Sequence, residues 1–188
     1  MTGIRDAEFK YGAVTKVLHW GMALMLLTLV VVGSYMTGLD KADPSRLQLM
    51  GMHKSFGAIF MQLAVFRVIW SRISARPQLP EVLSGWEKQL SRTITALLYI
   101  LMLAVPFSGM AMSNFSGFPV SLFGLVEFPM VIAKNPEMAG LAKQAHVAMV
   151  YALMGAIILH VAGALKHRYL DDPKADVLPR MTSLKPRV

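Results

Sequence analysis

Four runs of apolar residues, separated by charged or proline-bearing stretches, set the frame of this chain. They cover about Val17 to Met36, His53 to Trp70, Ile94 to Met112 and Ala145 to Leu165. The hydrocarbon core of a bilayer takes about 20 apolar residues as a helix, so each run reads as a membrane span. The run 53–70 is the least apolar, because Lys54 and Arg67 interrupt it. Residues 113–144 are too long for a simple connection. Their stretch FPVSLFGLVEFPMV, punctuated by Pro119, Gly124 and Pro129, reads as an interfacial cap on the outer face, with room for a short helix. Residues 171–188 read as an irregular tail. The first run follows a basic segment, as a signal peptide would. It is longer than a usual signal-peptide core and no small-residue cleavage site lies in 35–39, so it reads as a retained helix. The expected fold is one all-α membrane domain over residues 1–188, a four-transmembrane-helix bundle.

Composition points the same way. Of 188 residues 55% are hydrophobic and 16% charged, whereas a soluble domain carries about 25% charged residues. The net charge of +8 lies between the apolar runs rather than on one face of a soluble module, so it does not call for nucleic acid. Its distribution is an orientation signal. Thirteen Lys and Arg fall in the N-terminal segment, the loop after the second run and the tail; the other two loops hold four, leaving out Lys54 and Arg67. Both termini are therefore expected to be cytoplasmic, with 171–188 a cytoplasmic tail. The absence of cysteine excludes disulfides, cysteine-ligated zinc, iron–sulfur clusters and thiol nucleophiles.

The candidate chemistry lies in histidines. All five (His19, His53, His146, His160 and His167) sit in or beside the apolar runs, where ionisable groups are costly and mark function by default. His146 and His160 are 14 residues apart, which puts them on nearly one helix face about 21 Å apart along the axis. Four helices alternating in direction then bring His19 level with His160, and His53 level with His146. The tiers are too far apart for one four-histidine metal centre. Two separate zinc or iron sites would lack ligands, since no Asp or Glu lies in any of the runs. An iron porphyrin needs only two axial groups from the protein. Two bis-histidine b-type haems therefore use all four residues, His19 and His160 for the inner, His53 and His146 for the outer, in the bundle core.

Other positions fit this reading. Arg67 stands 14 residues after His53, at the inner level, where a haem propionate is its natural partner. Gly33, 14 residues after His19, and Gly57, one turn after His53, either leave room for a macrocycle or serve helix packing. Lys54 and Lys16, each close to a ligand, either pair with propionates or extend to the headgroups. His167, between Lys166 and Arg168, reads as interfacial. The 15 methionines scatter through every run and read as packing and lipid-facing residues. Pro106 is expected to kink the third helix, with Gly109 relaxing it. That helix carries no histidine and reads as non-ligating.

From about Tyr11 to Tyr169 the chain resembles the bacterial cytochrome b-561 family, four-helix di-haem b-type cytochromes of the inner membrane. The carriers are K-V-L-H-W at 16–20, M-H-K-S-F-G at 52–57, R-V-I-W-S-R at 67–72 with Pro77 and Pro80, and L-L-Y ending at Tyr99. Pro106 with Gly109, F-G at 123–124 and the spacing of His146 and His160 complete the set. The resemblance implies the same four haem ligands. It also implies an oxidoreductase or pure electron carrier passing electrons across the membrane between an outer-face donor and membrane quinone. In relatives superoxide is the donor and ubiquinone the acceptor. Low-spin bis-histidine iron has no open coordination position, so electron transfer rather than oxygen binding is expected. One departure is Thr95, where many relatives carry a histidine outside the ligand set; any proton or quinone role of that histidine has no counterpart at this position. The alternative function is a membrane-anchor electron-transfer subunit for a dehydrogenase or a soluble cytochrome c. A histidine-based, haem-free proton relay is a third reading, and it predicts a colourless protein.

Overall fold

A computed structural model describes every residue except 1, 2, 4, 5, 7–9, 76 and 188. Arg5 and Arg76, counted above in the charge distribution, and Val188 of the tail lie outside the described residues. Four long helices carry the chain: α1 (Ala13–Gly38), α2 (Pro44–Ile73), α3 (Gly85–Phe115) and α4 (Pro136–Tyr169). The shortest has 26 residues, about 39 Å at 1.5 Å per residue. All four are long and apolar enough to cross a membrane. Their outward faces stay apolar: Leu24, Val31, Phe107 and Ile158 are each more than 60% exposed. In water such faces would be a liability; in lipid they are the solvated surface.

Each helix outruns its apolar run, and α2, α3 and α4 start nine residues earlier than hydropathy places them. Polar caps make the difference. Asp43 accepts from the Ser45 amide (2.8 Å) just ahead of Pro44, the first residue of α2. Glu87 accepts from the Ser84 amide (3.0 Å) and hydroxyl (2.7 Å) in a capping box before α3. Asn135 accepts from the amides of Glu137 and Met138 (both 3.1 Å), with Pro136 opening α4. Helical hydrogen bonding continues to the cap whether or not the intervening residues suit lipid.

The chain forms two compact units. The first comprises Met1–Trp20, Phe66–Ile100 and Ala152–Val188. Its buried apolar residues include Leu83, Ile94, Leu153, Ala156 and Ala175. The tail expected to be irregular is folded here, with a 3₁₀ turn at Pro173–Ala175 and α5 at Leu178–Met181. Long-range polar contacts that local sequence does not signal fix it. The Trp20 indole donates to the Met181 carbonyl (3.0 Å). Arg168 pairs with the buried Asp176 carboxylate, and Arg187 donates to the Arg168 carbonyl.

The second unit comprises Gly21–Val65 and Leu101–Tyr151. Met22, Leu26, Ala58, Phe60, Ala64, Leu101, Met102 and Val105 form its core. No short helix fills the connection between α3 and α4. Instead β1 (Val120–Leu122) and β2 (Val126–Phe128) pair antiparallel, Leu122 opposite Val126. The reason is readable afterwards: β-branched and aromatic residues flank a Phe-Gly turn, a strand-and-turn composition. Phe123 and Gly124 both take left-handed φ (52° and 77°), unusual for a bulky residue. Ser55, which is 1% exposed, over-determines that turn. Its hydroxyl accepts from the Phe123 amide (3.0 Å) and shares its proton between the Ser121 and Gly51 carbonyls (2.8 and 2.9 Å). The Phe56 and Phe123 rings meet edge to face at 5.2 Å.

Candidate haem sites

Two histidine pairs form, one in each unit. In the first, His19 of α1 faces His160 of α4 with ring centres 6.2 Å apart and planes at 56°. In the second, His53 of α2 faces His146 of α4 at 6.5 Å and 81°. A metal–imidazole nitrogen bond of about 2 Å, with about 1.1 Å from that nitrogen to the ring centre, would put two imidazoles sharing one metal from opposite sides about 6.2 Å apart. Both pairs match the span of an iron held on opposite faces of a porphyrin. A zinc or non-haem iron site would need further donors, and among the described residues neither pair belongs to a cluster of three or more potential His, Asp or Glu ligands.

The second pair meets backbone and hydroxyl groups. His146 Nδ1 lies 3.0 Å from both the Val105 carbonyl and the Ser108 hydroxyl. The Ser108 hydroxyl donates to the same carbonyl (2.6 Å), so its lone pairs face the imidazole. Two acceptors at Nδ1 place the ring proton there and leave Nε2 unprotonated, the state that binds iron. Two glycines lie against the rings. A Cβ on Gly33 would stand 3.1 Å from His53 Cε1, and one on Gly109 would stand 3.2 Å from His146 Cε1. His53 Nδ1 is buried and makes no hydrogen bond of good geometry, although the Leu29 backbone lies close enough to act on the ring.

The first pair is surrounded by charge and aromatic rings. Arg67 reaches from α2 to within 3.0 Å of His19 Nδ1, and its guanidinium lies 5.9 Å from the centre of the Tyr99 ring. Trp20 meets His19 edge to face at 5.0 Å while holding Met181 through its indole. A guanidinium can only donate. Here, therefore, His19 Nδ1 accepts and the ring proton sits on Nε2. With a haem present, His19 would help hold it and the Arg67 guanidinium beside it would be the natural partner of an anionic group such as a propionate. The Trp70 indole donates to the Thr15 hydroxyl (2.9 Å), locking α2 to α1 one turn from His19.

The remaining expected positions fall as follows. Gly33 leaves space that the His53 ring approaches. A Cβ on Gly57 would meet nothing within 4 Å. The Lys54 ammonium lies 5.5 Å from the centre of the Phe118 ring. Lys16 is half-buried in the first turn of α1. His167 Nδ1 pairs with Asp171 (2.6 Å). Glu87, His167 and Asp171 come close enough together to suggest a metal site. Lys166 already neutralises the cluster, with its Nζ 2.7 Å from Glu87 and 2.8 Å from Asp171. Hydrogen bonds from Lys166, then His167, hold the Asp171 carboxyl below the usual carboxylate range.

The sequence reading missed α3. That helix carries no histidine, yet Val105, Ser108 and Gly109 seat His146. The available signal was a serine and a glycine one turn beyond Pro106, at the level expected for the outer histidines. Gly109 was read there as a partner of the proline alone.

Paired imidazoles among lipid-spanning helices define a class of membrane electron carriers whose metal brings its own macrocycle. The chain belongs to the family described as prokaryotic cytochrome b561, which matches residues 10–183. Its relatives include cytochrome b561 homolog 2 of Escherichia coli (strain K12), 30% identical over 172 residues, covering 92% of this chain and 90% of the relative. Cytochrome b561 homolog 1 of the same organism is 25% identical over 166 residues, covering 87% and 93%. The protein is thus a multi-pass inner-membrane electron-transfer protein of a family of four-helix bundles that bind b-type haem.

Proposed function

We propose that this chain is a di-haem cytochrome b that carries electrons across the membrane between an outer-face donor and membrane quinone. His19 and His160 hold one haem; His53 and His146 hold the other. Superoxide is the donor and ubiquinone the acceptor. The termini and the tail are cytoplasmic. The observation that carries the reading is the pair of ring separations, 6.2 and 6.5 Å.

Each b-type haem supplies a one-electron ferric–ferrous couple. The chain's own residues do the rest. The four imidazoles would hold the two haems, one pair to each, for electron transfer rather than oxygen binding. Val105 and Ser108 keep His146 in the ligating tautomer, and Arg67 neutralises a propionate in the first unit. Lys54, next in sequence to His53, attracts an anionic donor, its charge held over Phe118.

The test is a reduced-minus-oxidised spectrum with haem-to-protein stoichiometry on the purified chain. Two b-type haems per chain are expected, and one should disappear from each of His19→Ala, His53→Ala, His146→Ala and His160→Ala. Full haem content in any of the four variants removes that residue from the ligand set. For the donor, Lys54→Glu should slow haem reduction by superoxide, and an unchanged rate would rule out steering by this lysine.

A further inference from the structure

The two histidine pairs differ in how their rings are held, and the difference has a spectroscopic consequence. In the second unit each imidazole lies against a glycine of the preceding helix: His53 of α2 on Gly33 of α1, and His146 of α4 on Gly109 of α3. Gly33 has all of Cε1, Nδ1 and Nε2 of His53 within 4 Å of where its Cβ would stand, at 3.1, 3.5 and 3.9 Å. Gly109 has Cε1 and Nδ1 of His146 at 3.2 and 3.4 Å. Optimal carbon contacts lie at about 3.5–4.0 Å, so with a methyl group at either position the ring must give by a few tenths of an ångström. His146 is further pinned at Nδ1 by the Val105 carbonyl and the Ser108 hydroxyl, both 3.0 Å away. The planes stand at 81°. In the helices of the first pair, a Cβ on Gly21, Gly155 or Gly163 would meet nothing within 4 Å, and those planes stand at 56°.

We propose that Gly33 and Gly109 are positioning residues that hold the His53 and His146 imidazoles nearly perpendicular, with Ser108 fixing the rotation of His146. The proposal rests on the two-haem reading above and specifies one of its two sites. Axial imidazole planes orient the iron orbitals that hold the unpaired electron. Perpendicular planes leave two of those orbitals nearly equal in energy and make the low-spin ferric signal strongly anisotropic. Planes rotated toward one another separate the orbitals and give a more rhombic signal. Orienting groups behind a ligand also tune the metal's potential. The second-unit haem is therefore the more anisotropic of the pair, because two backbone positions without side chains permit that ring geometry.

The experiment is electron paramagnetic resonance of the oxidised, haem-loaded protein, with haem content measured on the same samples. Wild type should give two low-spin signals, the more anisotropic one being lost in His53→Ala. Gly33→Ala and Gly109→Ala should move that signal toward rhombic, or remove it with its haem, and leave the other untouched. Ser108→Ala adds no bulk, so it should keep both haems and still shift the anisotropic signal and the midpoint potential of that haem alone. Unchanged spectra in Gly109→Ala and Ser108→Ala, with two haems present, would overturn the positioning role while leaving the ligand set intact. A wild-type protein with fewer than two haems, or a His53→Ala variant that keeps both, would overturn the two-haem reading, and this proposal with it.

Discussion

The first unit surrounds its histidines with charge, and the second surrounds them with backbone and hydroxyl. The first unit contains 14 of the 19 Lys and Arg and 7 of the 11 Asp and Glu, an excess of seven positive charges. In the second the excess is one. Arg67, Trp20 and Tyr99 are the neighbours of the first pair. Gly33, Gly109, Ser108 and the Val105 carbonyl are those of the second. Yet the ring separations differ by only 0.3 Å. One ligand pair can thus be built twice with a constant span while its electrostatic setting is varied independently. Under the two-haem proposal, that separation of span from setting lets similar irons take different potentials.

The comparison breaks most visibly at the ligands, where each of the four alanine substitutions should cost one haem, counted per chain. Next comes Arg67. A cation beside an iron centre favours the reduced, less positive state, so Arg67→Met should lower the midpoint of the first-unit haem alone. The expected size is on the order of 1 kcal/mol per electron for a charge in a partly solvated site, read by redox titration. Equal shifts at both haems would erase the distinction drawn here. Ser55→Ala should act on the second unit only. It leaves the Phe123 amide and two carbonyls to find new partners, at about 1–3 kcal/mol, seen as faster hydrogen exchange across 116–135. Trp20→Phe removes one indole hydrogen bond to the tail, about 1 kcal/mol, and should make residues beyond 170 easier to cleave with protease.

The smallest effect is that of pH on the tail. Asp171 has its carboxyl lowered by Lys166 and His167. A carboxylate lowered by folding contributes its stability above the ordinary aspartate value of 3.8 and loses it as pH falls through the lowered folded value. Tail anchoring, followed by Trp20 fluorescence, should therefore hold from neutral pH down to the ordinary aspartate range and weaken only below it. Weakening that sets in already at neutral pH would overturn this assignment to Asp171.

Much of the fold was legible in the sequence because lipid imposes a one-dimensional rule: about 20 apolar residues suffice for a span whatever surrounds them. The four runs therefore mark four helices, and helical periodicity alone places His146 and His160 on one face. The helix starts were legible too, in Asp43-Pro44, Ser84 to Glu87 and Asn135-Pro136, but capping signals had to be weighed above hydropathy. What the sequence could not supply were contacts between residues far apart in the chain. The seat of His146 on Gly109, that of His53 on Gly33, the turn of Arg67 toward His19 and the docking of the tail on Trp20 are all of this kind. Each depends on which side chains meet when helices pack, at tolerances of a few tenths of an ångström. Hydropathy and periodicity fix the axis and face of a helix, whereas the rotation of a ring is set by the atoms it touches.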